Sequence, residues 1–146
     1  GVGKSTIYRW WKHKSDLVLD AYKELTLSIL QFEEQQSLET NLIQQLMRLA
    51  LALNHPVGRA MLVVIANHRE LAADFFKQYL LPRRVQLHAL IQQAIRKGEL
   101  KEHENYDLVL DQLYGPIHYQ IIFFNHLPDE PYITQLVKRS FDPLRI

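Results

Sequence analysis

Apolar residues recur along this chain at spacings of three and four, and the pattern breaks at prolines, glycines and polar clusters. Leu17, Ala21, Leu25, Ile29 and Phe32 predict a helix over 14–36, with Ser15 as its N-cap. Leu38, Leu42, Leu46, Leu49, Ala50 and Leu53 predict a second over 38–53. Asn54-His55-Pro56 ends it, and Pro56 suits the first position of a short helix with Val57, Ala60, Met61, Val64 and Ile65 on its apolar side. A further helix over 68–81 turns Leu71, Ala72, Phe75, Phe76, Tyr79 and Leu80 inward. Pro82 either starts a new helix or kinks this one, and Val85, His88, Ile91, Ala94 and Ile95 carry the stripe onward. Arg96-Lys97-Gly98 reads as a stop, with cations in the last turn and a glycine after it.

Residues 99–104 read as a charged loop, after which Asn105 caps a helix to about Asn125. Gly115-Pro116 is expected to kink that helix. Its second half, with Ile117, Tyr119, Ile121, Ile122, Phe123 and Phe124, is apolar nearly all round and must be covered on more than one side. After a turn at 127–131, Ile133, Leu136, Val137 and Phe141 mark a last helix over 132–141. No segment alternates with the period of a strand, so the fold class is all-α.

Charge changes the picture at one end. Lys4, Arg9, Lys12 and Lys14 fall in the first fourteen residues, which hold no acid, whereas the remainder carries thirteen basic and sixteen acidic residues. The net charge of +1 hides this asymmetry. A short basic segment with interleaved aromatics, ahead of a slightly acidic body, points to contact with a polyanion. There is no cysteine, hence no disulfide and no thiolate metal site, which fits a reducing cytoplasm. The longest apolar run, Met61 to Ala66, is far short of the ~20 residues of a membrane span.

Two motifs compete for the basic end. Gly1-Val2-Gly3-Lys4-Ser5-Thr6 matches the close of a phosphate-binding loop, but that loop needs an earlier glycine, a strand before it and a sheet for its helix to pack on. The alternative is the second half of a helix-turn-helix. Gly1-Val2-Gly3 forms the turn and Lys4–Trp11 a short recognition helix, with Ile7 and Trp11 inward and Lys4, Ser5, Tyr8 and Arg9 outward. The run Gly1-Val2-x-Lys4-x-Thr6-Ile7-Tyr8-Arg9-x-Trp11-x-x-Lys14-x-x-Leu17 resembles the signature of the tetracycline-repressor (TetR) family, Gly-Val-Ser-x-Gly-Thr-Leu-Tyr-x-x-Phe-x-x-Lys-x-x-Leu. Gly3 and Ser5 exchange the usual Ser and Gly, and Trp11 replaces Phe. Arg96-Lys97-Gly98-Glu99-Leu100, followed by Leu113-Tyr114-Gly115-Pro116-Ile117, also resembles that family's C-terminal body.

The resemblance implies a remnant of a helix-turn-helix head over 1–20, then a larger helical body over 21–146 that binds an effector and dimerises. It implies contact of Lys4, Ser5, Thr6, Tyr8, Arg9 and Lys14 with double-stranded operator DNA, Lys14 holding a phosphate at a helix N-terminus. The chain opens within the motif, so further head helices are expected before Gly1. Without them it is expected to fold and pair but to bind DNA weakly and without sequence preference. A helical ligand-binding module without DNA binding is the alternative, and a nucleotide-binding protein a more distant one.

The excess apolar surface places the homodimer interface at Ile117, Ile121, Ile122, Phe124, Ile133, Leu136 and Val137. Candidate walls for an apolar or aromatic effector are Met61, Ile65, Phe75, Phe76, Tyr79, His88, Tyr114, His118 and Tyr119, each of which equally suits ordinary core packing. The seven histidines form no compact ligand spacing, so no metal or cofactor is expected. The carboxylates form no recognisable catalytic pair, and no nucleophile elbow occurs, so an enzyme is not expected.

Overall fold

The computed structural model describes the chain except Gly1, Leu30, His103 and Glu104, and except the side chains of Val2 and Tyr8. It is all-α among the described residues apart from one isolated antiparallel bridge between Leu100 and Arg145. The helices are α1 (Val2–Leu25), α2 (Leu38–Asn54), α3 (Pro56–Asn67), α4 (Arg69–Phe75), α5 (Leu81–Arg96), α6 (Tyr106–Phe124) and α7 (Glu130–Phe141).

Sequence chemistry explains most boundaries. Ser37 accepts from the Thr40 amide at 3.1 Å and starts α2. His55 Nδ1 accepts from the Val57 amide at 3.1 Å, and Pro56 follows at the first helical position of α3. Asn105 and Asp129 cap α6 and α7 in the same way. Gly98 closes α5 at φ 77°, where a side chain would be strained, and the Glu99 amide returns to the Ala94 carbonyl at 2.9 Å. Asn125 closes α6 at φ 49°.

α2 is the centre. It packs against α3, α5, α6 and α7, and Leu42, Leu46 and Leu53 are shut off from solvent. Each such leucine contributes roughly 1.5–3 kcal/mol relative to exposure. α2 and α3 meet at a bend of 79°, and a Cβ on Gly58 would lie 1.9 Å from the Ala52 carbonyl oxygen. The bend therefore depends on a residue without a side chain. Among the described residues no single helix is long and apolar enough to cross a membrane, though α2 and α3 together have the composition for a bent span. Here their apolar faces supply the core.

Three expectations about the helices are corrected. Residues 4–25 do not divide into a recognition helix and a second helix capped by Ser15; they lie in one continuous helix, with Ser15 buried inside it. Nothing between Lys4 and Leu25 breaks a helix, since that stretch has neither glycine nor proline. The helix also ends earlier than expected, at Leu25 rather than near Gln36, with a turn at 26–29. The buried face of α1 is Ser15, Leu19 and Tyr22, with Thr26 buried just beyond its end, whereas the expected face of Leu17, Ala21 and Leu25 points outward. At the third, Pro82, the chain neither starts afresh nor simply kinks. Residues 69–96 are helical throughout, with a wider π turn at Phe76–Leu80 between α4 and α5. Pro82 has no N–H for the Gln78 carbonyl and its ring would crowd that group, so the Leu81 amide reaches back to Phe76 instead. By contrast, α6 runs without a break through Gly115 and Pro116.

An aromatic cluster fastens α1 to the body. Tyr22 lies 6.1 Å from Phe75 and 5.9 Å from Tyr79 between ring centroids, and Phe75 stacks on Tyr79 at 4.8 Å. Thr26 donates to the Tyr22 carbonyl at 2.8 Å and also meets the Tyr79 hydroxyl. Arg83 covers the outer face of Tyr79 at 3.4 Å and donates to its carbonyl at 3.1 Å.

Two outcomes test this packing. Gly58→Ala forces α2 and α3 apart and is expected to lower the unfolding free energy by roughly 1–3 kcal/mol. Gly115→Ala, which meets nothing within 4 Å in mid-helix, should raise it by about 0.5–1 kcal/mol. Urea unfolding of the pair compares them, and a Gly58→Ala protein as stable as the parent would remove the close crossing.

The second outcome concerns pH. Burial pushes the hydroxyls of Tyr22 and Tyr114 far above the ordinary 10.0, and raises Tyr79 despite the Thr26 hydrogen bond and Arg83. These groups are neutral when folded and ionise more readily when unfolded. Their contribution is therefore complete below about pH 10 and is lost as pH rises beyond it. The urea midpoint should stay level up to about pH 10 and fall as the pH rises above it, less steeply in Tyr22→Phe. Tyrosinate absorbance showing all seven tyrosines ionising at the ordinary value, with a constant midpoint, would contradict the buried cluster.

Candidate functional site

The basic end of α1 stands clear of the body. Lys4, Ser5, Thr6, Arg9, Lys12, His13 and Lys14 are all exposed. The side chain of Tyr8 and the whole of Gly1 lie outside the described residues. Because the helix is unbroken, its cations do not share one face. At 100° per residue, Lys4, Ser5, Arg9 and Lys12 fall within one arc, and Lys14 lies on the other side with Ile7 and Trp10. Lys14 is thus in mid-helix and not at a helix N-terminus. Its ammonium group sits over the Trp10 and Trp11 rings, at 5.2 and 5.5 Å.

Ile7 and Trp11, expected to face inward, are 57% and 48% exposed, and Trp10 is 54% exposed. Leu17 and Leu25 continue this outer apolar side toward the body. No other described element covers the outer side, because α3 packs against the opposite face of α1. Gly3 to Thr6 lie within this helix and not in a loop that leads into one, which differs from the loop-and-helix geometry of a phosphate-binding loop.

The expected effector walls lie in different settings. Met61, Phe75 and Tyr79 are core residues, with Ile65 packed against them. Phe76 and Tyr119 are exposed. Tyr114 donates to Gln45 Oε1 at 2.9 Å, and His118 Nδ1 donates to the Tyr114 carbonyl at 2.8 Å. His88 Nε2 is 2.8 Å from Asp107 Oδ1, in a surface ion network where Arg84 reaches both Asp107 and Asp111. The hydrogen bond from His88, with Arg84 adding to it, holds the Asp107 carboxyl below its usual range.

Of the seven expected interface residues, Ile117, Ile121, Ile133 and Val137 are fully enclosed in the protomer's own core, where α2, α6 and α7 meet. Leu136 is half-buried, and Ile122 and Phe124 are exposed. Phe123, which the apolar run includes but the expected interface does not, is 74% exposed and lies 5.4 Å from Tyr119 between ring centroids. Tyr119, Ile122, Phe123 and Phe124 thus form one apolar patch at the end of α6. The all-apolar run was the available signal. The side of each residue was not, because it depends on where α2 and α7 lie.

Two clefts open elsewhere, and neither contains any of the nine proposed walls. One, of about 230 Å³, lies beside residues 32–38. The other, of about 340 Å³, lies at the C-terminal end between Ser37, Leu100, Phe141 and Arg145. Among the described residues no three His, Asp or Glu side chains are grouped to hold a metal ion.

Comparison with known proteins agrees with this architecture. Residues 32–139 match the family profile described as Tetracyclin repressor-like, C-terminal domain. The chain is 27% identical over 143 residues to the uncharacterized HTH-type transcriptional regulator YdeS of Bacillus subtilis, covering 96% of this chain and 72% of that protein. It is 29% identical over 142 residues to the uncharacterized HTH-type transcriptional regulator Mb1581 of Mycobacterium bovis, covering 93% and 68%. Its fold is similar to the crystal structure of the TetR family transcription regulator SCO0332, with a TM-score of 0.73 over 100% of this chain and 82% of that one, at 23% identity. The helical body, the exposed basic helix and the profile match over most of the chain lead to one family: this chain belongs to the TetR transcriptional regulators, which act by binding DNA and are not enzymes.

Proposed function

We propose that this protein is an effector-controlled repressor that binds operator DNA as a homodimer. The observation that carries the reading is α1 itself. It runs unbroken from the exposed cations Lys4, Arg9, Lys12 and Lys14 to the buried anchors Leu19 and Tyr22. A rigid helix that joins a basic end to a core cluster turns a shift of Tyr79 or Phe75 into a change of angle at the DNA. A small molecule bound in the body would act by its differential affinity for two such angles. The proposed DNA contacts are Lys4, Ser5, Thr6, Tyr8, Arg9 and Lys14, on the resemblance of their spacing to the family signature. The outer apolar side of α1, with Ile7, Trp10 and Trp11, is where the other helices of a helix-turn-helix head would pack. Residues beyond about 20 would form the effector and dimerisation body.

The dimer surface proposed here is the Tyr119, Ile122, Phe123 and Phe124 patch, with Ile117, Ile121, Ile133 and Val137 holding its two helices together from beneath. Paired about a two-fold axis, α6 and α7 of two protomers give a four-helix contact. A reducing cytoplasmic location suits a DNA-binding protein without cysteine.

Two experiments test the reading. Lys14→Ala in the protein with its complete head should weaken binding to operator and scrambled duplex alike and reduce the salt slope by about one. An unchanged slope would remove the phosphate contact, and no operator preference in the parent protein would favour a ligand-binding module without DNA binding. Phe124→Asp, on an exposed side chain, should raise the dimer dissociation constant at least about thirtyfold while leaving far-UV dichroism intact. A variant that sediments as a folded dimer would move the interface elsewhere.

A further inference from the structure

The contact that fastens α1 to the body leaves two polar groups unused. The first is the hydroxyl of Tyr22. This residue is 3% exposed, yet its hydroxyl makes no hydrogen bond among the described residues. Nor is that hydroxyl sealed, because the one side-chain oxygen among them that is both sealed and unpartnered belongs to Gln36. The nearby hydroxyls of Thr26 and Tyr79 bond each other instead. A buried hydroxyl without a partner is unfavourable, and a ligand that meets it removes the deficit. Burial keeps the Tyr22 hydroxyl protonated far beyond the ordinary range; Tyr79 adds to this and the Arg83 charge opposes it. It is therefore a donor at neutral pH, within electrostatic reach of the guanidinium.

Arg83 is the second group. Half-buried, it stacks on Tyr79 at 3.4 Å and donates from Nη1 to the Tyr79 carbonyl at 3.1 Å. Its neighbour Arg84 is paired with Asp107 and Asp111, whereas Arg83 has no carboxylate within ion-pair distance among the described residues. Its Nε and Nη2 make no hydrogen bond among them either. That edge is a fork that matches the two oxygens of a carboxylate. One cation and one neutral donor balance a single negative charge, whereas a phosphate dianion would be left half-balanced. Leu80 precedes Arg83 by one helical turn and Phe76 precedes Leu80 by another, and both are exposed, so an apolar strip borders the fork. The π turn that carries these residues is a backbone feature frequent at functional sites.

We propose that Arg83 and Tyr22 together bind the carboxylate of a small organic acid whose carbon skeleton lies against Leu80 and Phe76. The Arg83 fork takes the two oxygens, and the Tyr22 hydroxyl donates to one of them. The ligand then bridges α1 and the π turn, which are joined here by ring contacts and by the bond between Thr26 and Tyr79. That bridge fixes the angle of α1. This regulatory consequence names the class of effector for the reading above and rests on it, whereas the binding does not.

Calorimetric titration of the protein, without DNA, with benzoate, its neutral counterpart benzamide and inorganic phosphate tests the site. Benzoate is expected to bind saturably, at least about tenfold tighter than either of the others, and more weakly as salt rises. Tyr22→Phe keeps the ring and removes the hydroxyl alone. It should weaken benzoate by about three- to tenfold without lowering the unfolding midpoint at neutral pH. Arg83→Gln should weaken benzoate at least about tenfold. Tyr22→Phe remains informative if Arg83→Gln, which loses the bond to the Tyr79 carbonyl, does not fold. Equal uptake of benzoate and benzamide, uptake that never saturates, or benzoate affinity unchanged in either folded variant would overturn the site. Phosphate bound as tightly as benzoate would overturn the choice of a carboxylate. Operator affinity unaltered at benzoate saturation would overturn the regulatory role while keeping the site. A protein with no operator preference at all would count against the operator reading and leave the calorimetry untouched.

Discussion

The enclosure of α2 is the constraint on which the rest of the structure depends. A helix flanked by four others can present large residues in several directions, and Leu42, Leu46, Ala50 and Leu53 do so. Polar groups are admitted there only with partners. Asn41 is satisfied by the backbone of Glu33, and Gln45 by the Tyr114 hydroxyl. These two amides fix the position of the incoming segment and of α6 around a shared axis. The sharp departure of α3, permitted by Gly58, then sets the surface against which α1 lies.

On that frame α1 is held at one end. Its buried residues begin at Ser15, and everything before them is exposed among the described side chains. A helix anchored in this way transmits rotation better than a jointed segment, because its own hydrogen bonds resist bending. The anchor meets the body at its least regular point, the π turn that Pro82 imposes between α4 and α5. A wider turn leaves its carbonyls less well paired than in an α-helix, and the Arg83 guanidinium compensates at Tyr79. The contact between α1 and the body thus lies where the body's backbone departs from regular geometry.

The apolar patch at the end of α6 follows from the same enclosure. Ile117 and Ile121 fill the space between α2 and α7, so the next apolar residues, Ile122, Phe123 and Phe124, have no interior position left. Aromatic side chains exposed together are uncommon on a surface with no partner.

The sequence by itself determined the class of fold, the approximate place of the helices beyond residue 38, and some of their ends, such as Pro56, Gly98 and Asn105. These are local matters: a serine or asparagine binds an amide three residues on, and a glycine accepts a positive φ, whatever surrounds them. It also determined the basic character of the first turns of α1, since charge is read directly from residue type. What only the tertiary structure decided was direction. α1 has apolar residues on two sides, Leu17, Ala21 and Leu25 on one and Leu19 and Tyr22 on the other, so periodicity alone admits either as the buried face. The packing of α3 selects the second, in which Ser15 and Thr26 are buried beside them. The same ambiguity hid which of the isoleucines in α6 belong to the protomer's core, and that Tyr79 is enclosed beside Tyr22 and Phe75 whereas His88 joins a surface ion network. A side chain's neighbours across the body are set by how helices cross, and crossing depends on distant contacts such as Gly58 against Ala52, which no local pattern encodes.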